Sequence, residues 1–246
     1  MSDQKIASSN LTNTETNSVS TSRDFTQSNL LPHQKIIALE VQFISELENI
    51  GNTQIDLVDN LRLSTLQIDE LIPQKTLEHD VKNIAENHWK LYSQVLSKVG
   101  VETMPIQDSM HGKNHRLDFV QVSSFVNTED THWNFHMFFT NTATALENGY
   151  VIGAETFLEK IKNHYLAITL SEIVEIRRKS QEYREKIIKD VDHLLAEQSN
   201  PHSKILLNAI RAYVTTLEKE ERKFEELLKK YVDEVEKVIK EVGEVV

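Results

Sequence analysis

The chain has 246 residues, a formal net charge of −11 and no cysteine. The missing cysteines exclude disulfides, thiolate zinc sites and cysteine nucleophiles, and the acidic balance argues against sequence-independent nucleic-acid binding, which needs a basic face. Six glycines and four prolines are few for this length, and the Glu, Lys, Leu, Ile and Val of the second half make up the composition of long helices rather than of sandwiches.

Residues 1 to 31 are rich in Ser, Thr and Asn with almost no periodic apolar residue. Too little apolar surface is on offer to offset the entropy of ordering, so a disordered tail is expected. From Pro32 a helical stripe begins with Ile36, Leu39, Phe43, Leu47 and Ile50 at spacings of three and four. Gly51-Asn52-Thr53 reads as an interruption, with Thr53 capping a second helix that carries Ile55, Val58, Leu61, Thr65, Ile68 and Ile72 as far as Pro73. A third helix is expected after Thr76, with Leu77, Val81, Ile84, His88, Leu91, Val95 and Val99 on one face. Gly100 then stands where a helix end wants a residue free to adopt positive φ.

Beyond Gly100 the period changes. In "WNFHMFF" the residues Trp133, Phe135, Met137 and Phe139 alternate with His132, Asn134, His136 and Phe138, which predicts a strand. Leu117 to Val126 alternates similarly, Asn127 to Asp130 reads as a break, and Asn148-Gly149 marks a turn before "YVIG". Past Gly153 the helical period returns through Ile173, Ile176, Ser180, Tyr183, Ile187, Asp190 and Leu194. Asn200-Pro201 stops that helix and starts another, which carries Leu206, Ile210, Tyr213, Leu217, Glu220, Phe224, Leu227, Tyr231, Val235, Val238 and Val242.

The expected architecture is mostly α with a small antiparallel β-module. It comprises a tail over 1–31, a helical body over 32–100, a β-rich module over 101–153 and a long antiparallel helical hairpin with coiled-coil-like seams over 154–246. A C₂ homodimer is expected because long apolar seams need burial. No segment is long and apolar enough to span a bilayer, and the start of the chain lacks a signal-peptide pattern, so a soluble cytoplasmic protein is expected.

Chemistry is sparse. His111 and His115, and His132 and His136, form two i,i+4 pairs. On a helix each pair could share a metal, but on a strand its members stand about 13 Å apart, and the alternation around Trp133 favours the strand. No phosphate loop, dinucleotide fingerprint or nucleophile elbow is present. No catalytic residue, metal or cofactor is assigned, and the clusters Arg177-Arg178-Lys179 and Lys229-Lys230 read as solvated helix faces.

The order of several segments carries a resemblance. "DLVDNLRLSTLQID" (Asp56 to Asp69), "KLYSQVLSKVGVETMP" (Lys90 to Pro105), His115 and "ALENGYVIG" (Ala145 to Gly153) resemble, in that order, stretches of the GrpE family, the nucleotide exchange factors of DnaK-type chaperones. His111-Gly112 stands where that family usually has Asp-Pro, and a helical hairpin follows the expected β-module where the family's long helix precedes its bundle. The resemblance implies a non-enzymatic, homodimeric co-chaperone whose partner is a DnaK-type chaperone, engaged through differential affinity for its nucleotide states. It implies that Asp59, Asn60 and Leu61 belong to the helical body, that Gly100 and Val101 form a hinge, and that His115, Gly149 and Tyr150 face the partner. The second reading is a coiled-coil scaffold or assembly protein that works through the C-terminal hairpin.

Overall fold

The computed structural model describes residues 30–72, 75–100, 102–104, 118–120 and 133–244. The expected tail up to residue 29, Val101, His111, His115, His132 and most of the expected strand from Leu117 to Val126 lie outside the described residues.

Helix α1 runs unbroken over Pro32–Leu71. Pro32 opens it, since its fixed φ suits a first helical position, and the Gln34 side chain accepts from the Leu31 amide at 3.1 Å. The interruption expected at Gly51-Asn52-Thr53 does not occur. Thr53 donates its hydroxyl back to the Asn49 carbonyl at 2.9 Å, which keeps it inside the helix instead of capping a new one. Gly51 has a packing role: a Cβ there would overlap the Tyr92 phenol, so glycine opens a notch for a ring on the neighbouring helix.

Helix α2 spans Lys75–Val99 and ends at Gly100, whose φ of 85° is open to glycine at little cost. Two three-residue strands follow, β1 (Glu102–Met104) and β2 (Asp118–Val120). They pair antiparallel with Glu102 opposite Val120 and Met104 opposite Asp118.

The β-rich module over 101–153 is not what forms. Apart from that short ladder, the described part of this region is helical: α3 covers Phe135–Glu147 and α4 covers Val151–Lys160. The aromatic run expected as a strand is the first turn of α3. Its start is fixed by Asn134, whose side chain accepts from the Met137 amide at 2.9 Å. Phe135, Phe138, Phe139, Thr142, Ala143 and Leu146 are buried at helical spacing. Alternation over seven residues fits either period, and the cap together with the residues downstream decides for the helix.

Helix α4 passes without a break through a π-helical stretch, Ile161–Leu166, into α5 (Ala167–Glu197). Asn200 and Pro201 then begin α6 (Pro201–Gly243), the Asn200 side chain accepting from the His202 amide at 2.9 Å. The expected hairpin forms here, and α1 and α2 cover its seams. Lys35 pairs with Glu241 and Glu46 with Lys230, so α1 and α6 run antiparallel. Lys98 pairs with Glu172 while Ile84 shares a cluster with Ile187, and Arg211 pairs with Asp192 while Glu221 pairs with Arg184, which gives the same sense to α2 with α5 and to α5 with α6. The four long helices form an up-down-up-down bundle, and α3 and α4 are added at the end where α1 starts and α6 finishes.

Two apolar clusters fill the bundle. One, around Phe43, Tyr92, Trp133, Phe135, Phe138, Phe139, Phe224 and Tyr231, joins α3 and α4 to the four long helices. The other is built by Val58, Leu61, Ile68, Ile84, Ile187, Leu207, Ile210, Leu217 and their neighbours.

Candidate functional site

Between the two clusters each long helix places a polar residue at a core position. Gln54 comes from α1, His88 from α2, Arg184 from α5 and Glu221 from α6. Buried apolar residues flank them along each helix: Leu47 and Ile55, Ile84 and Leu91, Ile176 and Ile187, Leu217 and Phe224, with Ser180 also buried before Arg184. The layer is sealed, with His88 2%, Arg184 3% and Glu221 1% exposed.

Its wiring is partial. Arg184 donates to a Glu221 carboxylate oxygen and, at 3.5 Å, to the Arg177 carbonyl. Gln54 donates to the Glu220 carbonyl at 2.9 Å. His88 Nδ1 stands 3.9 Å from the other Glu221 oxygen, beyond hydrogen-bond reach, and neither His88 nitrogen has a hydrogen-bond partner in the bundle. Just outside the layer Arg177 pairs with Glu225. Burial, with repulsion from Arg222 next, pulls the Arg177 guanidinium below its ordinary range. Of the basic cluster expected on a solvated face, Arg178 and Lys179 do face water and pair with Glu175, whereas Arg177 turns inward. Tyr92 packs beside His88 with ring centroids 6.3 Å apart, and burial, then the Glu48 charge, raises its phenol well above the usual range. A layer of this kind holds charges in fixed places, and Arg184 also lines a surface cavity with Gln181, Ile188, Val214 and Glu218.

The second feature is the turn between α3 and α4. The Gly149 amide donates to the Leu146 carbonyl at 3.2 Å and the Tyr150 amide to the Ala145 carbonyl at 2.8 Å, the crossed pair of a Schellman cap. Gly149 takes a φ of 73°, so the turn signal at Asn148-Gly149 is realised as a helix cap. The turn is fixed in backbone and bare in side chain: Tyr150 is 70% and Ile152 79% exposed, the two largest values for big apolar side chains among the described residues. Val151, between them, packs inward against the first cluster.

The residues singled out from sequence do not converge. Gly149 and Tyr150 sit at this turn, and Gly100 lies beside Asn134 at the other end of α3, about 20 Å away along a helix of this length. In α1, Leu61 is core, Asn60 exposed and Asp59 between the two. His136 lies in α3, where its imidazole donates to Glu40 at 2.5 Å. That bond, partly offset by burial, raises the His136 pKa above its ordinary value. Among the described residues no three His, Asp or Glu side chains stand close enough to share a metal ion. No described helix is long and apolar enough to cross a membrane.

Sequence reasoning missed the ionic layer because its stripes ran through Tyr183 and Glu220, one residue before Arg184 and Glu221. The usable signal was charge of opposite sign recurring at core spacing on two paired helices: Arg177 and Arg184 on one, Glu218, Glu221 and Glu225 on the other. Compared with known protein families, curated proteins and solved structures, the chain matches none.

Proposed function

We propose that this chain is a non-enzymatic binding protein, a helical bundle that meets a protein partner at its α3–α4 end. The observation that carries this reading is the pair Tyr150 and Ile152, held out to solvent on a rigid cap while the long seams of the bundle are covered within the chain. Large side chains left bare on an ordered turn are typical of interaction sites.

The sequence resemblance supplies the partner class to test first, a DnaK-type chaperone, with the helical end taking the part it assigned to a pleated module. An exchange factor needs only to prefer one nucleotide state of its partner over another. The test is capture of a purified DnaK-type chaperone on the immobilised chain, with and without ATP, beside release of a fluorescent nucleotide from that chaperone. Capture that is lost on adding ATP and weakened by Tyr150→Ser/Ile152→Ser supports the co-chaperone form. Absence of capture in every nucleotide state removes the chaperone as partner.

A further inference from the structure

We propose that the α3–α4 turn docks a basic amphipathic protein segment, one that combines lysine or arginine with large apolar side chains. This rests on the reading that the turn meets a partner, and it adds the partner's chemistry.

The turn offers two contacts of different kind. Tyr150 and Ile152 supply the apolar one. The electrostatic one comes from the carboxylates around them. Glu147 precedes Tyr150 by one helical turn at the end of α3, and Glu155 follows Ile152 by one turn on α4. Glu244 closes α6, whose Gly243 approaches Val151 closely enough that a Cβ there would lie 3.9 Å from its methyl carbon. None of the three pairs with a cation among the described residues.

Several other acids at this end are paired, Glu241 with Lys35, Glu236 with Lys162 and Lys240, and Glu234 with Lys237, while Glu159 on α4 is exposed and adds to the negative charge. The nearby Lys160 ammonium is turned to the Trp133 ring, 4.8 Å from its centroid. An apolar pair with a carboxylate one helical turn before it and another one turn after it, neither in an ion pair among the described residues, repels anionic lipid and nucleic acid and suits a cationic peptide face. A further exposed apolar surface, Leu66 and Trp89 in the cleft between α1 and α2, is flanked by Arg62 and Lys82 as well as Glu78 and Glu86, so its charge selects no partner.

The test uses the full chain and three labelled synthetic peptides: a Lys/Leu amphipathic helix, its Glu/Leu counterpart, and a Lys/Ser peptide of equal charge without apolar residues. Fluorescence anisotropy at low and high salt reads binding. The expected result is binding of the Lys/Leu peptide alone. Tyr150→Ser/Ile152→Ser should weaken it by about tenfold or more, and Glu147→Lys/Glu155→Lys should weaken it and flatten its salt dependence. The same charge change at the far end of the bundle, Glu70→Lys/Glu197→Lys, should leave it within about twofold.

Equal loss in the far-end variant, or full binding of the Lys/Ser peptide, would mean diffuse attraction to an acidic chain and overturns the proposal. Equal binding of the Glu/Leu peptide, or no binding at all, also overturns it. Chaperone capture that survives Tyr150→Ser/Ile152→Ser would leave the co-chaperone reading standing and remove the turn as its site. Peptide binding without chaperone capture has the opposite meaning. Both side chains are exposed, so thermal melting should show the turn variants folded as the parent.

Discussion

The two halves of this bundle solve the same packing problem with different materials. Where α3 and α4 join the four long helices, the core must span six elements, and rings fill it: Phe43 packs on Phe135, Phe139 and Tyr231 with centroids 5.2 to 6.0 Å apart, and Trp133 on Phe138, Phe157 and Tyr165. Where only four helices remain, buried leucine, isoleucine and valine suffice. Aromatic side chains reach across a wide gap with few torsions to fix, whereas branched aliphatics interdigitate well at ordinary helix spacing. The difference teaches where a local change stays local. The ring-containing half adds large residues to its aliphatic packing, and the other half relies on aliphatic side chains alone for its fully buried positions.

The largest expected effect tests that asymmetry. Phe139→Ala should cost about 3–5 kcal/mol by urea denaturation and exceed Ile84→Ala at the other end, for which the range is about 2–5 kcal/mol. Equal losses would show that the rings carry no special share.

The ionic layer on the boundary gives the next test. Glu221→Ala leaves Arg184 buried without its carboxylate and should cost about 3–5 kcal/mol, whereas replacing His88, Arg184 and Glu221 together by leucine should be neutral or stabilising by up to about 4 kcal/mol. If the triple variant melts well below the parent, the layer contributes stability in its own right and the boundary cannot be treated as a break between two apolar cores. Asn134→Ala removes the cap of α3 and should cost about 1 kcal/mol. Hydrogen exchange would place the loosening in α3 and leave the aliphatic half protected.

The smallest effect depends on pH. The bond to Glu40 raises the His136 pKa in the folded chain. Its stabilisation is therefore complete below the unfolded value near 6.5 and is lost as pH rises through the higher folded value. Thermal melts from mildly acidic to mildly alkaline pH should show a modest decline that Glu40→Gln abolishes. A decline that survives Glu40→Gln would have another origin.

Much of the aliphatic half was legible in the sequence, because one-sided burial writes its period directly: Leu206, Ile210 and Leu217 fall where the stripe places them, and Asn200-Pro201 divides α5 from α6 as expected. The ring-filled half was less legible for definite reasons. Gly51 looks like a break because its partner, Tyr92, is remote in sequence. The aromatic run at Trp133 alternates over the few residues that precede the true helical repeat. The exposed turn was readable as a turn through Asn148-Gly149, but its bareness was not, because Tyr150 and Ile152 are residue types that a hydropathy pattern assigns to a core. The ionic layer hid for the converse reason, charge being assigned to water.

The π-helical stretch links the exposed turn to the ionic layer. Through it and into α5 the inward stripe reads Ile161, Tyr165, Thr169 and Ile173, three successive steps of four that would wind about 40° around an ordinary α-helix at each step. The wider i→i+5 ring takes in an additional residue, and the stripe stays aimed at the core. The stretch thus sets the azimuth of α4 against α5. A lineage that lost one residue there would keep a continuous helix but swing the Tyr150–Ile152 corner about 100° around the axis, so the direction in which that corner faces is fixed by chain length within a single coil.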